Sequence, residues 1–216
     1  MARDDDPAAW RASAWAFGLV RAAVVVRVAG LFGAFVELWS ADHGDDLRIT
    51  VVATAAMLVS DLVAAAGAAR LALRGPAGRR SARTAVAALL ACAAFDTWAL
   101  AWLTDAVTTA GPLLVHGMNI CALAGAAGMI GVAAAAARAL DRAELVAQLQ
   151  VAAGLLVIAT VLAGLAIARR DDAAFLLFVL ALLLMLAGAL VYIVALGRVR
   201  AAILDHAPLP PPAQVV

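Results

Sequence analysis

The sequence contains no lysine, because all sixteen of its basic residues are arginine. Retinal and pyridoxal phosphate are held through a lysine amine, so Schiff-base proteins of both kinds are excluded. Charge of either sign is scarce: charged residues make up 14% of the chain, against about a quarter in soluble domains. Only two cysteines are present, Cys92 and Cys121, and both lie inside apolar runs rather than in a disulfide framework.

Most of the residues are apolar. They make up 66% of the chain, the mean hydropathy is +1.00, and a single water-soluble core could not bury so much apolar surface. The sequence therefore predicts an all-α, polytopic transmembrane bundle of about six helices, with a lipid bilayer as its surroundings. The predicted helices lie near 15–39, 49–73, 84–107, 112–137, 145–168 and 173–197. They form a membrane domain over 15–200, between an N-terminal segment at 1–14 and a Pro-rich tail at 201–216.

The arginines are distributed unevenly between the predicted loops. If the N-terminus is inside, eleven arginines lie in inner segments and three in outer loops, and cytoplasmic loops carry the excess of basic residues. The inner set is Arg3, Arg11, Arg70, Arg74, Arg79, Arg80, Arg83, Arg138, Arg142, Arg198 and Arg200. The pattern predicts cytoplasmic termini. Abundant alanine together with missing lysine is typical of a GC-rich bacterial genome, which indicates a bacterial inner membrane.

Three consecutive predicted helices place a charged residue at the middle of their length. These residues are Arg27, Asp61 and Asp96. Charged side chains deep in a membrane cost several kcal/mol and mark functional sites by default. A guanidinium between two carboxylates would be paired and would leave one excess negative charge, so that a proton or cation can bind and leave. The alternatives are a static ion network that fixes helix packing and three charges that never meet.

Further polar residues cluster in the outer halves of the first four predicted helices. On helix 2, Thr50, Thr54 and Asp61 fall on one stripe that runs from the outer end to the middle. This distribution predicts an outer vestibule that ends at the midplane charges; a simple polar cap near the interface is the alternative. The vestibule residues are Glu37, Thr50, Thr54, Asp105, His116 and Asn119.

The remaining helices differ in character. Small residues at Gly117, Cys121 and Gly125 allow close helix approach, which favours helix 4 as the centre of the bundle. Helices 5 and 6 are almost wholly apolar. We therefore expect them to form a two-helix wall that faces lipid, a second copy or other membrane subunits.

No sequence motif names a reaction. The HExxH, CxxC, Walker and G-x-S-x-G patterns are all missing, so we expect no enzyme, no metal and no cofactor, and no nucleic-acid partner. The leading hypothesis is a permease-like or channel-like protein that moves a proton, an ion or a small solute. A structural or accessory subunit of a larger membrane complex is the main alternative. A membrane-embedded enzyme that uses Asp61, Asp96 and His116 is a third.

Overall fold

Six α-helices account for nearly all of the residues that the computed structural model describes, which are 6–40, 48–104, 112–168 and 172–207. The helices are α1 (Pro7–Ser40), α2 (Arg48–Arg74), α3 (Arg79–Leu103), α4 (Pro112–Ala139), α5 (Ala143–Ala168) and α6 (Asp172–His206). These ranges contain no strand. The predicted all-α bundle of six helices is confirmed over this part of the chain.

The two terminal helices are longer than the apolar runs indicate. Helix α1 begins at Pro7, where the Asp6 carboxylate accepts a hydrogen bond from the backbone N–H of Ala8 at 2.9 Å. Proline suits the first position of a helix and an aspartate before it caps the free N–H groups. Helix α6 continues through Arg198 and Arg200 to His206. Hydropathy detects only the part of a helix that suits hydrocarbon, so polar extensions at the interface are missed.

Each helix has the length and composition of a membrane span. All six contain a segment of at least 20 residues whose hydropathy suits a bilayer, and about 20 apolar residues cross its hydrocarbon core. Large apolar side chains such as Leu176, Leu183 and Val52 are exposed on the outside of the bundle. The chain is thus a multi-pass membrane protein.

The helices pack as a ring in chain order. Each helix lies against the one before and the one after it, and α6 packs on α1 to close the ring. Helix α4 lies between α3 and α5 and barely touches α6. The expectation that helix 4 forms the centre of the bundle is therefore wrong. Its small residues pack against one neighbouring helix, α3, rather than against several helices.

Small residues let adjacent helices approach closely. A Cβ atom added to Gly128 on α4 would lie 2.8–2.9 Å from the Ala85 atoms of α3. Between α1 and α2, a Cβ on Gly67 of α2 would lie 2.9 Å from Val20 and 3.1 Å from the carbonyl oxygen of Ala16, both on α1. Such spacings are those of membrane helices that associate through backbone proximity rather than side-chain bulk.

One end of the ring carries most of the described arginines. Neighbouring helices run antiparallel, and the start of α1 meets the end of α6 there: the Trp10 and His206 rings lie 5.7 Å apart edge to face. The Arg70 guanidinium lies over the Trp15 ring at 4.7 Å. The arginines at this end are Arg11, Arg70, Arg74, Arg79, Arg80, Arg83, Arg138, Arg142, Arg198 and Arg200. We call it the terminal end.

Candidate functional site

Arg27 on α1 contacts carboxylates from the two following helices. Its Nη1 atom lies 2.5 Å from Oδ1 of Asp61 on α2 and 3.4 Å from Oδ2 of Asp96 on α3. Both aspartates thus share one guanidinium nitrogen. We call these three residues the charge layer. The sequence placed them at similar depth, and the structure shows that the three side chains meet.

The charge layer lies well inside the bundle. Asp61 is the middle residue of α2 and is 2% exposed, and Asp96 is fully buried. The second guanidinium nitrogen of Arg27, Nη2, donates to Sγ of Cys92 at 3.5 Å. Cys92 and Asp96 are one helical turn apart on α3, so one face of that helix supplies both contacts.

The pairing leaves two buried acceptors without donors. Asp61 Oδ2 and Asp96 Oδ1 have no hydrogen-bond partner among the described residues. With both carboxylates ionised, the charge layer holds two negative charges and one positive charge. A buried charge or acceptor that is left unpaired costs several kcal/mol in a medium of low dielectric. The arrangement therefore favours an added proton, cation or hydrogen-bond donor.

A cavity of about 180 Å³ adjoins the charge layer inside the ring. All six helices contribute to its wall, and Arg27 and Asp61 are its charged residues. Leu89, Met129 and Met185 are typical of the remaining, mainly apolar lining. Helices α5 and α6 thus line this cavity in addition to exposing apolar side chains such as Leu176 and Leu183, so the predicted two-helix wall also contributes to the site.

Tyr192 on α6 is a cavity residue to which the sequence assigned no role. Its side chain is buried at 3% exposure, and its hydroxyl has no hydrogen-bond partner in the described structure. The other two hydroxyls of the lining are used locally: Ser60 donates to the carbonyl of Met57 at 2.7 Å, and Thr160 to that of Leu156 at 2.8 Å. The available signal was that this is the only tyrosine of the chain, near the middle of an apolar helix.

The predicted outer vestibule is described only in part. Thr50 and Thr54 are buried, and the Thr54 hydroxyl donates to the backbone carbonyl of Thr50 at 2.8 Å. Neither residue lines the cavity beside the charge layer. Asp105 and the side chains of Glu37, His116 and Asn119 lie outside the described residues. The vestibule therefore stays a prediction.

Comparison of the chain with known protein families, with curated proteins and with solved structures finds no match in any of the three. The described side chains contain no cluster of three or more histidines, cysteines or acids that would hold a metal ion. What the site does must follow from its own chemistry: a paired guanidinium, an excess carboxylate and an adjoining apolar cavity.

Proposed function

We propose that the protein is a small permease-like or channel-like membrane protein that moves a proton, an ion or a small solute through the charge layer. The observation that carries this proposal is the second carboxylate on Arg27. One aspartate is enough to neutralise a buried arginine, so the second adds a charge that packing alone does not require. Membrane proteins place such groups where ions or protons bind.

The surroundings of the charge layer support the same function. Asp61 lines a cavity inside the ring, so the charge layer borders space on one side rather than being surrounded by packed side chains. A static ion pair would gain from full enclosure by packed atoms, which strengthens it and excludes water. Binding and release require space next to the charge.

The proposed setting is the inner membrane of a bacterium, with both chain termini in the cytoplasm. The terminal end carries most of the described arginines, and short cytoplasmic loops carry the excess of basic residues in membrane proteins. The charge layer then lies between the two aqueous compartments, as a transport site requires.

The test is flux through purified full-length protein in liposomes. Gradients of protons, sodium and tetramethylammonium are imposed in turn on wild type, Asp61→Asn and Asp205→Asn. Asp205→Asn is the matched control, since Asp205 is an exposed acid at the end of α6. We expect wild type and the control to conduct at least one of the three above empty liposomes, and Asp61→Asn to lose that flux. Equal flux in all three proteins, or no flux above empty liposomes, overturns the proposal.

A structural or accessory subunit is the second candidate function. The observation that favours it is that the charge layer joins three consecutive helices, α1, α2 and α3, as a clamp. The apolar outer faces of α5 and α6, with Leu176 and Leu183 exposed, would then bind a second copy or other membrane subunits. In that case Asp61→Asn lowers the stability of the bundle or its retention of partners, and no flux depends on it.

A further inference from the structure

We propose that the substrate of this site is a small organic cation whose apolar body is about the size of a benzene ring. Its charged head binds Asp61, and its body fills the cavity that residues of all six helices line. This inference rests on the proposed role of the charge layer as a transport site and names the substrate class. Charge, lining and size argue for it separately.

The charge of the site selects a cation. Arg27 also lines the cavity, but its guanidinium is already in contact with two carboxylates, which leave one excess negative charge in the charge layer when both are ionised. Asp61 lines the cavity, and its Oδ2 atom is a buried acceptor without a donor among the described residues. An ammonium group would donate to that atom and balance the excess negative charge, and charge-assisted hydrogen bonds are the strong ones. An anion would meet the same carboxylate and be repelled.

The lining selects a ligand with an apolar body. Inorganic cations such as calcium and magnesium require about six or more oxygen ligands. Among the described lining residues, the carboxylate of Asp61 and the hydroxyl of Tyr192 offer side-chain oxygens that no hydrogen bond within the protein occupies. The rest of the wall is mainly aliphatic or thioether, with Val24, Leu123 and Met185 as examples. An alkyl or aryl body fits this wall, whereas a hydrated ion would lose its water to surfaces that cannot replace it.

Cavity size limits the body of the ligand. The volume is about 180 Å³, and a dry apolar cavity of roughly 150 Å³ is enough to hold benzene. Tyr192 offers a second polar group in the lining, because its buried hydroxyl has no partner among the described residues. It is also the aromatic ring among the described lining residues, and the face of an aromatic ring attracts cations. Tyr192 would therefore stabilise an ammonium group by either route.

The test is equilibrium binding, measured by calorimetry on the purified full-length protein in detergent. The probes are benzylammonium, its neutral analogue benzyl alcohol, and tetraphenylphosphonium, a cation too large for the cavity. We expect benzylammonium to bind roughly tenfold or more tightly than benzyl alcohol, since a hydrogen bond to a charged group contributes about 1.5–3 kcal/mol. We expect tetraphenylphosphonium not to compete.

Three variants test whether benzylammonium binds at Asp61 and Tyr192. Asp61→Asn keeps the shape of the site and its Arg27–Asp96 contact, and should abolish the preference for benzylammonium over benzyl alcohol. Tyr192→Phe removes one hydroxyl from a buried ring and should weaken benzylammonium by roughly two- to tenfold. Asp205→Asn, at an exposed position outside the cavity, should bind all three probes as wild type does.

The outcomes separate this inference from the proposed function. Preferential benzylammonium binding that Asp61→Asn removes supports the inference, and if no probe ion then crosses liposomes only the transport function fails. Flux of protons or sodium through wild type without any benzylammonium binding contradicts the inference and leaves transport standing. Equal binding of benzylammonium and benzyl alcohol, or competition by tetraphenylphosphonium, also contradicts it. Should Asp61→Asn not fold, the response of Tyr192→Phe decides: unchanged benzylammonium affinity there overturns the inference.

Discussion

At the scale of single residues, the central feature is an arginine that two carboxylates share. Arg27 Nη1 contacts both Asp61 and Asp96, while one oxygen of each carboxylate lacks a donor in the described structure. The three charges therefore depend on one another. Removing the arginine is worse than removing either acid, because two buried negative charges would then face each other without a cation.

Arg27→Leu should destabilise the bundle by about 3–5 kcal/mol, the usual cost of breaking a buried ion pair by removing one partner. The double variant Arg27→Leu/Asp61→Asn should be more stable than the sum of the two single changes indicates, because it removes part of the repulsion. Unfolding of the purified proteins in mixed detergent micelles gives the free energies. Strictly additive losses would show that Arg27 and Asp61 are not coupled.

Tyr192→Phe should keep or raise stability, although it alters a buried residue. The hydroxyl has no partner in the described structure, and a buried polar group without one costs about 1–3 kcal/mol. Thermal unfolding of detergent-solubilised wild type and Tyr192→Phe measures the difference. A clear loss of stability would mean that the hydroxyl is paired within the protein, which would remove one argument for a ligand.

The charged residues of the site could be predicted from the sequence, but the cavity beside them could not. Arg27, Asp61 and Asp96 were found by counting residues along each apolar run, since depth in a membrane follows from the rise per residue. Tyr192 was not predicted as a site residue, because the depth of a residue in the membrane does not tell which side of its helix faces the interior of the bundle. Whether a residue faces the interior of a ring depends on how α6 packs against α1 and α5, and these contacts are formed by residues far apart in the chain.

At the scale of helices, glycines set how closely neighbours approach. Spacing along the sequence correctly indicated close packing of helix 4, yet not the identity of its partner. Gly128 and Gly125 both face α3, where a Cβ would meet Ala85 and Leu89. One-sided contact of this kind is compatible with a helix in the ring, which is why small residues did not identify the centre of the bundle.

Gly128→Ala should destabilise the protein by about 1–3 kcal/mol, the cost of overpacking a tight interface. The added Cβ would lie within 2.9 Å of Ala85 backbone atoms, which cannot move independently of α3. Gly154→Ala on α5 is the matched control, because a Cβ there meets no described atom within 4 Å. The control should be neutral or slightly stabilising, since alanine favours helix over glycine. Equal effects of the two changes on detergent unfolding would contradict the α3–α4 packing.

At the scale of the whole molecule, closure of the ring brings the first and last helices together. Gly197 on α6 makes room for Arg21: a Cβ there would lie 3.1 Å from the guanidinium. Gly18 on α1 faces Arg200 in the same way, at 3.5 Å. Hydropathy predicted six spans and an even number of crossings, but it contains no information about which helices adjoin. Closure is what places residues of all six helices around one cavity.

If the chain crosses the membrane six times with the terminal end inside, its C-terminus lies in the cytoplasm. Green fluorescent protein fused after Val216 should fluoresce in bacterial cells, and alkaline phosphatase at the same point should be inactive. Fusions to a chain that is truncated after Arg169, between α5 and α6, should give the reverse. Active phosphatase at the C-terminus would place the arginine-rich end outside and contradict the proposed orientation.

The most direct test of the transport function is the ratio of flux per folded molecule between Asp61→Asn and wild type, with Asp205→Asn as the reference. The measurement uses liposomes that contain equal amounts of folded protein and whichever gradient of protons, sodium or tetramethylammonium the wild type conducts. Transport through the charge layer predicts a fall of roughly tenfold or more for Asp61→Asn, equivalent to at least about 1.4 kcal/mol, and no change for Asp205→Asn. A ratio near one would contradict it and leave Arg27, Asp61 and Asp96 as a clamp between helices.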